Sequence, residues 1–134
     1  MIVGVLLSVR EKAKRLPGKV LKNLGGHTVA EGMLLRLKKV KNADNVIFST
    51  STDDRDTVLV DIANKNRIDY FQGSKNDKLK RYLDTAHRYN LDFLVIVDGD
   101  DPFVSVEHIE KIIDYAKTNK VDYVQYDGLP LGAT

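Results

Sequence analysis

The sequence contains no cysteine, which excludes disulfide scaffolds, thiolate zinc sites and cysteine nucleophiles and permits a reducing compartment. Histidine is scarce as well. His27, His87 and His108 are too scattered along the chain to suggest a histidine metal site. The longest apolar run, Val3 to Leu7, falls far short of the roughly 20 residues that a membrane span needs, and no basic segment precedes it as in a signal peptide. A cytoplasmic protein without a membrane partner is the expectation. Aromatic residues make up 7% of the chain, with 9 Gly and 3 Pro, so collagen-like and low-complexity classes are excluded.

What remains is a chain of 134 residues, 43% of them apolar, enough for one hydrophobic core and a single domain over residues 1–134. The net charge of +2 conceals an uneven distribution. Residues 1–41 hold 10 Lys or Arg against 2 acids, whereas residues 42–134 hold 11 against 17. The basic stretch has no aromatic residue, which argues against a nucleic-acid surface and for a concentrated polyanion such as a nucleoside triphosphate.

Ile2 to Leu7 reads as a strand buried on both faces. Thr28 to Glu31 is a capping box, and Val29, Met33, Leu34, Leu37 and Val40 predict a helix ending near Asn42. Asn45 to Thr50 is a second strand, and Asp53 or Asp54 caps the helix that buries Val58, Leu59, Ile62 and Ala63. Ile68 to Phe71 is a short third strand. Leu79, Tyr82, Leu83 and Ala86 mark the inward stripe of the next helix, with Asn90 in its C-terminal turn. Phe93 to Val97 is the fourth strand, Ser105 caps a helix through Ala116, and Val121 to Tyr126 is a fifth strand. Five strands alternating with four helices predict an α/β sandwich with a mainly parallel sheet, whose ligands sit beyond the carboxyl ends of the strands.

The loop after the first strand carries five cations in ten residues, Arg10, Lys12, Lys14, Arg15 and Lys19, around Pro17-Gly18. It is not a Walker A loop, because Ala13 stands at the first glycine position and no Ser or Thr follows Gly18-Lys19; an ordinary solvated loop is the plain alternative. After the fourth strand, Asp98-Gly99-Asp100-Asp101 places three carboxylates in four residues, suited to a hard cation that bridges phosphate oxygens, unless these acids merely cap a turn or the following helix.

Arg10 with Arg15-Leu16-Pro17-Gly18-Lys19 and Leu21 resembles the signature loop of the sugar-acid cytidylyltransferases, nearest their spore-coat polysaccharide branch. The resemblance continues through Thr28, Ser49 to Thr52, Gly73-Ser74 with Asp77, Arg81-Tyr82 and Gly99-Asp100-Asp101-Pro102. It implies a Rossmann-like, three-layer nucleotide-diphospho-sugar transferase fold, incomplete at its C-terminus. The implied activity transfers a nucleoside monophosphate, CMP from CTP being favoured, to a sugar or sugar acid with release of pyrophosphate, for surface polysaccharide synthesis. Arg10, Arg15 and Lys19 match the family's phosphate-contacting, catalytic positions; Gly18, Ser51, Ser74 and Asp77 complete the nucleotide site. Asp100 matches the metal-binding aspartate, and Mg²⁺ is the implied cofactor.

Ala13 and Gln72 depart from the family pattern, in which Ser and Arg are usual. The family is also well over 200 residues long, so this chain is expected to be a fragment, or to close the gap beside the fourth strand by direct pairing with the fifth strand, by the tail, or by a partner chain such as a second copy. Two other functions compete. One is a glycosyltransferase using Asp98-Gly99-Asp100 as a D-x-D site, and the other a non-catalytic nucleotide-binding module.

Overall fold

Alternating apolar strands and capped helices build a parallel sheet in the computed structural model, which describes residues 1–9 and 19–128. Strand β1 (Val3–Ser8) is buried along its whole length, as its continuous run of apolar residues requires. A two-residue hairpin follows, β2 (Asn23–Leu24) with β3 (His27–Thr28), turning through Gly25 and Gly26 at φ of +67° and +92°. Glycine takes that backbone without the clash a Cβ would bring. Helix α1 (Val29–Leu37) is capped by Thr28, whose hydroxyl accepts the Glu31 amide at 3.1 Å; it ends several residues before the expected Asn42.

Strand β4 (Asn45–Ser51) leads to α2 (Thr57–Lys65), β5 (Asp69–Gly73) to α3 (Lys78–Arg88), and β6 (Phe93–Asp98) to α4 (Val106–Thr118). Ser105 caps α4 and Asn90 adopts φ +53° after α3, as expected, whereas Asp53, expected to cap α2, caps a short 3₁₀ turn ahead of it. The sheet runs β5-β4-β1-β6, and every pairing in it is parallel. Strand order therefore reverses at β1. Loops at the carboxyl ends of β1, β4, β5 and β6 share one rim, where ligands of such sheets bind.

One face of the sheet, with Val3, Val5, Leu7, Phe48, Val95 and Val97, packs on α1, α2 and α4 around Met33, Leu34, Leu37, Leu59, Ile109 and Ile113. The α4 helix is tied to α1 and its exit by Arg36 Nε donating to Val104 O at 2.5 Å and by the Lys41 amide donating to Glu110 at 2.8 Å. Helix α3 covers the opposite face and differs from the sequence expectation. Leu79 and Leu83 are 77% and 55% exposed, whereas Arg81 and Thr85 are buried. The sheet supplies Ser8 and Ser49 on that side, and buried hydroxyls favour hydrogen-bonding neighbours over leucines.

The expected fifth strand is not formed. Val121 to Tyr126 makes no sheet pairing among the described residues, and β6 pairs there with β1 alone. Between this segment and the outer edge of β6 lies a groove of about 390 Å³ lined by residues that include Ile96, Ile112 and Val124. A strand exists only through its ladder, so β-branched sequence without a hydrogen-bonded neighbour stays unpaired.

Candidate functional site

The rim is built where β1 ends beside β4 and β6. Ser8 is in register with Ser49 on one side and Asp98 on the other. The Val9 amide donates to Ser49 O at 3.1 Å, and the Gly99 amide to Ser8 O at 3.0 Å. Val9, the last described residue before the basic segment, thus leaves the sheet directly against the acidic turn. A Cβ on Gly99 would stand 2.8 Å from Val9 Cγ2, so only glycine allows this approach. On the far side of the segment, Lys19–Leu21 form a 3₁₀ turn and Val20 is buried in the core. Arg10, Arg15 and Gly18, expected at the heart of the site, lie outside the described residues, and of Lys19 only the backbone is described.

The acidic turn is ordered by its own hydrogen bonds. Asp98 Oδ1 accepts the Asp100 amide at 3.1 Å, and Lys78 Nζ reaches Asp98 Oδ2 at 3.1 Å from the first turn of α3. Asp101 closes the turn toward α4 by accepting the Val104 amide through its carbonyl, while Ser105 does the capping. Partial burial, and secondarily the Asp98 charge, raise the Asp101 carboxyl above its ordinary range. Asp100 is exposed on the rim.

Among the described residues no three His, Cys, Asp or Glu side chains gather closely enough to cage an ion. Asp100 and Asp98 nevertheless offer the hard oxygen donors that suit a magnesium-like ion, which takes one or two carboxylates and completes its shell with water and phosphate oxygens. The donor set fits such an ion when polyphosphate shares it.

The other expected residues fall on the neighbouring loops. Ser51 is fully buried; its hydroxyl bonds to the Asp56 carboxylate and accepts the Asp53 amide at 3.2 Å, so it shapes the turn after β4. Arg55 grips Asp53 with two bonds of 3.1 Å, which holds that carboxyl well below the usual range. Gln72 donates to Ser51 O at 3.3 Å and the Thr52 amide to Gly73 O at 3.1 Å, joining the turns after β4 and β5. Ser74 Oγ accepts the Asp77 amide at 3.1 Å, and Asp77 caps α3 by accepting the Lys80 amide at 3.0 Å. The structure therefore brings Ser51, Ser74, Asp77 and Asp100 to one rim. It adds two residues that the sequence reading did not place in the site, Lys78 and the buried Arg81. Arg81 belongs to the Arg81-Tyr82 motif of the resemblance, which gave it no role, and its helical face with Thr85 competes with the more apolar Leu79 and Leu83; Lys78 carried no signal.

The parallel sheet, covered by helices on both faces and reversing its order at β1, has the Rossmann-like α/β fold found in solved nucleotidyltransferases. The chain belongs to the cytidylyltransferase family, whose model matches residues 5–134. It is 36% identical over 131 residues to an uncharacterized protein of Methanocaldococcus jannaschii, covering 98% of this chain and 54% of that one. Identity to the spore coat polysaccharide biosynthesis protein SpsF of Bacillus subtilis is 28%, over 95% of this chain and 55% of the relative. A solved cytidylyltransferase from Leptospira borgpetersenii superposes with a TM-score of 0.85 at 38% identity, over 90% of this chain and 50% of that one. The chain spans about half the length of the curated relatives it matches.

Proposed function

We propose that this chain carries the triphosphate-holding part of a cytidylyltransferase that moves CMP from CTP onto a hydroxyl of a sugar or sugar acid and releases pyrophosphate. The observation that carries the reading is the junction at β1: the basic segment departs from Val9, whose neighbour Ser8 is hydrogen-bonded to Gly99 of the acidic turn. Family membership supports the cytidine nucleotide.

The chemistry needs little beyond position and charge. Attack of a hydroxyl oxygen on the α-phosphorus forms one P–O bond and breaks the bond to the β-phosphate, so pyrophosphate leaves with the developing charge. Arg10, Arg15 and Lys19 offset that charge; arginine grips phosphate oxygens with a planar fork and lysine supplies a mobile point charge. Gly18 lets backbone approach the phosphates, and the Ser74 to Asp77 turn borders the nucleoside. Asp100, steadied by Asp98, would hold a divalent cation, Mg²⁺ by its preference for carboxylate and phosphate oxygens, which would neutralise phosphate charge when bound.

The test is pyrophosphate release by this chain with each of the four triphosphates and a panel of keto-sugar acids, beside Arg15→Ala and Asp100→Ala. Release with CTP, reduced on the order of a hundredfold or more in both variants, is expected. Unchanged turnover in either variant removes that residue from the mechanism. Release of a nucleoside diphosphate from a nucleotide sugar would instead establish the D-x-D glycosyltransferase reading. Nucleotide binding without turnover under any sugar would leave a binding module.

A further inference from the structure

Arg81 is 1% exposed, on the side of α3 that faces the sheet. Burying a guanidinium is costly, and an apolar side chain of similar size would fill the space more cheaply if packing were all that mattered. Its bonds run to two different loops. Nη1 donates to the Ser74 carbonyl at 3.1 Å, and Nη2 to Ser8 Oγ at 3.0 Å. The adjacent Tyr82 hydroxyl donates to the same Ser8 Oγ at 3.1 Å. Ser8 is the last residue of β1 and is bonded through its carbonyl to Gly99, while Ser74 opens the turn after β5. One buried fork therefore spans β4 and fixes the end of β1 relative to the Ser74 to Asp77 turn.

The sequence makes room for that fork. A Cβ on Gly73 would lie 2.8 Å from Arg81 Cγ and 2.7 Å from the Phe71 ring, so glycine at the end of β5 is what lets the arginine stem pass beneath the turn. Thr85, one helical turn on, bonds back to Arg81 O at 2.7 Å and faces Ser49 at 3.5 Å, extending the polar layer along the same face.

We infer that Arg81 is a positioning residue that locks the phosphate side of the site, at the end of β1, to the nucleoside side, at the Ser74 turn, so that a ligand reaching across both binds as one piece. This rests on the nucleotide reading above. A ligand that touches two rigidly joined subsites gains an effective concentration for its second contact, whereas a fragment that touches one gains nothing from the lock.

The discriminating experiment is isothermal titration of CTP, CMP and pyrophosphate into wild type, Arg81→Lys, Ser8→Ala and, as a control, Tyr89→Phe. Tyr89 sits just beyond the far end of α3 and its hydroxyl donates to Tyr70 O, so its loss costs a hydrogen bond away from the rim. Arg81→Lys and Ser8→Ala should weaken CTP about tenfold or more while CMP and pyrophosphate change less than about threefold. Tyr89→Phe should leave all three unchanged. Parallel losses for all ligands, or unchanged CTP affinity in Ser8→Ala, would overturn the inference while leaving the nucleotide reading intact. Should Arg81→Lys fail to fold, Ser8→Ala alone decides, because it removes a single hydroxyl, the one that accepts from Arg81 and Tyr82. Wild type that binds none of the three ligands would overturn the nucleotide reading, and the inference with it.

Discussion

Removing the charge of Glu31 should turn a pH-dependent part of the protein's stability into a pH-independent one. Glu31 Oε1 accepts from His27 Nδ1 at 2.8 Å, and Oε2 faces Asn66 Nδ2 at 3.1 Å and Lys65 Nζ at 3.3 Å. The Asn66 bond contributes most, then His27 and Lys65, and against the opposing cost of burial they bring the carboxyl from 4.5 to about 2. Because the folded value lies below the unfolded one, the contribution is complete above about pH 4.5 and is lost as pH falls toward 2. At about 1.4 kcal/mol per unit the ceiling is about 3 kcal/mol. His27 and Lys65 are 50% and 73% exposed, and water screens their share, leaving about 1–2 kcal/mol. Urea denaturation of wild type and Glu31→Gln at pH 7, 5 and 3 measures this directly. The variant should be about 1–2 kcal/mol less stable at pH 7, with the gap shrinking at pH 3 because the unfolded carboxyl takes up a proton below pH 4.5 while the folded one stays ionised. An equal gap at pH 7 and pH 3 would refute the electrostatic account, and no gap at pH 7 would refute the role of the cluster altogether.

Gly99→Ala would press a methyl against Val9, itself packed in the core, and should cost about 1–3 kcal/mol through overpacking. Differential scanning calorimetry would register it as a lower Tm, and an unchanged Tm would show that the acidic turn and the end of β1 are not tightly joined. Asp101→Asn should stabilise slightly at pH 7, by about 0.5 kcal/mol, because the raised carboxyl is held charged there against burial and the Asp98 charge. The gain should fade as pH falls through the raised value, where the wild-type acid takes up its proton; a gain that grows on acidification would contradict the assignment.

Legibility followed the range of the interactions involved. Thr28 and Ser105 cap as read, because a cap is a bond between a side chain and amides two or three residues away, whereas Asp53 caps the 3₁₀ turn ahead of α2 and not α2 itself. The hairpin through Gly25-Gly26 was equally local and went unread, although paired glycines between short segments are a hairpin signal. The placement of Asp100 and Ser74 on the rim, just after β6 and β5, followed from their motifs. The engagement of Ser51 by Asp56, and of Asp98 by Lys78 from another loop, did not.

By itself the sequence determined the alternation of strands and helices, the parallel sheet, the basic and acidic segments and the family they announce, since each is written in neighbouring residues or in a short motif. Only the tertiary structure decided which face of α3 turns inward, where Ser8 and Ser49 select Arg81 and Thr85 over two leucines. It also decided that Val121 to Tyr126 forms no ladder with β6. Both outcomes depend on groups tens of residues away, and no local propensity records what a distant neighbour will offer or withhold.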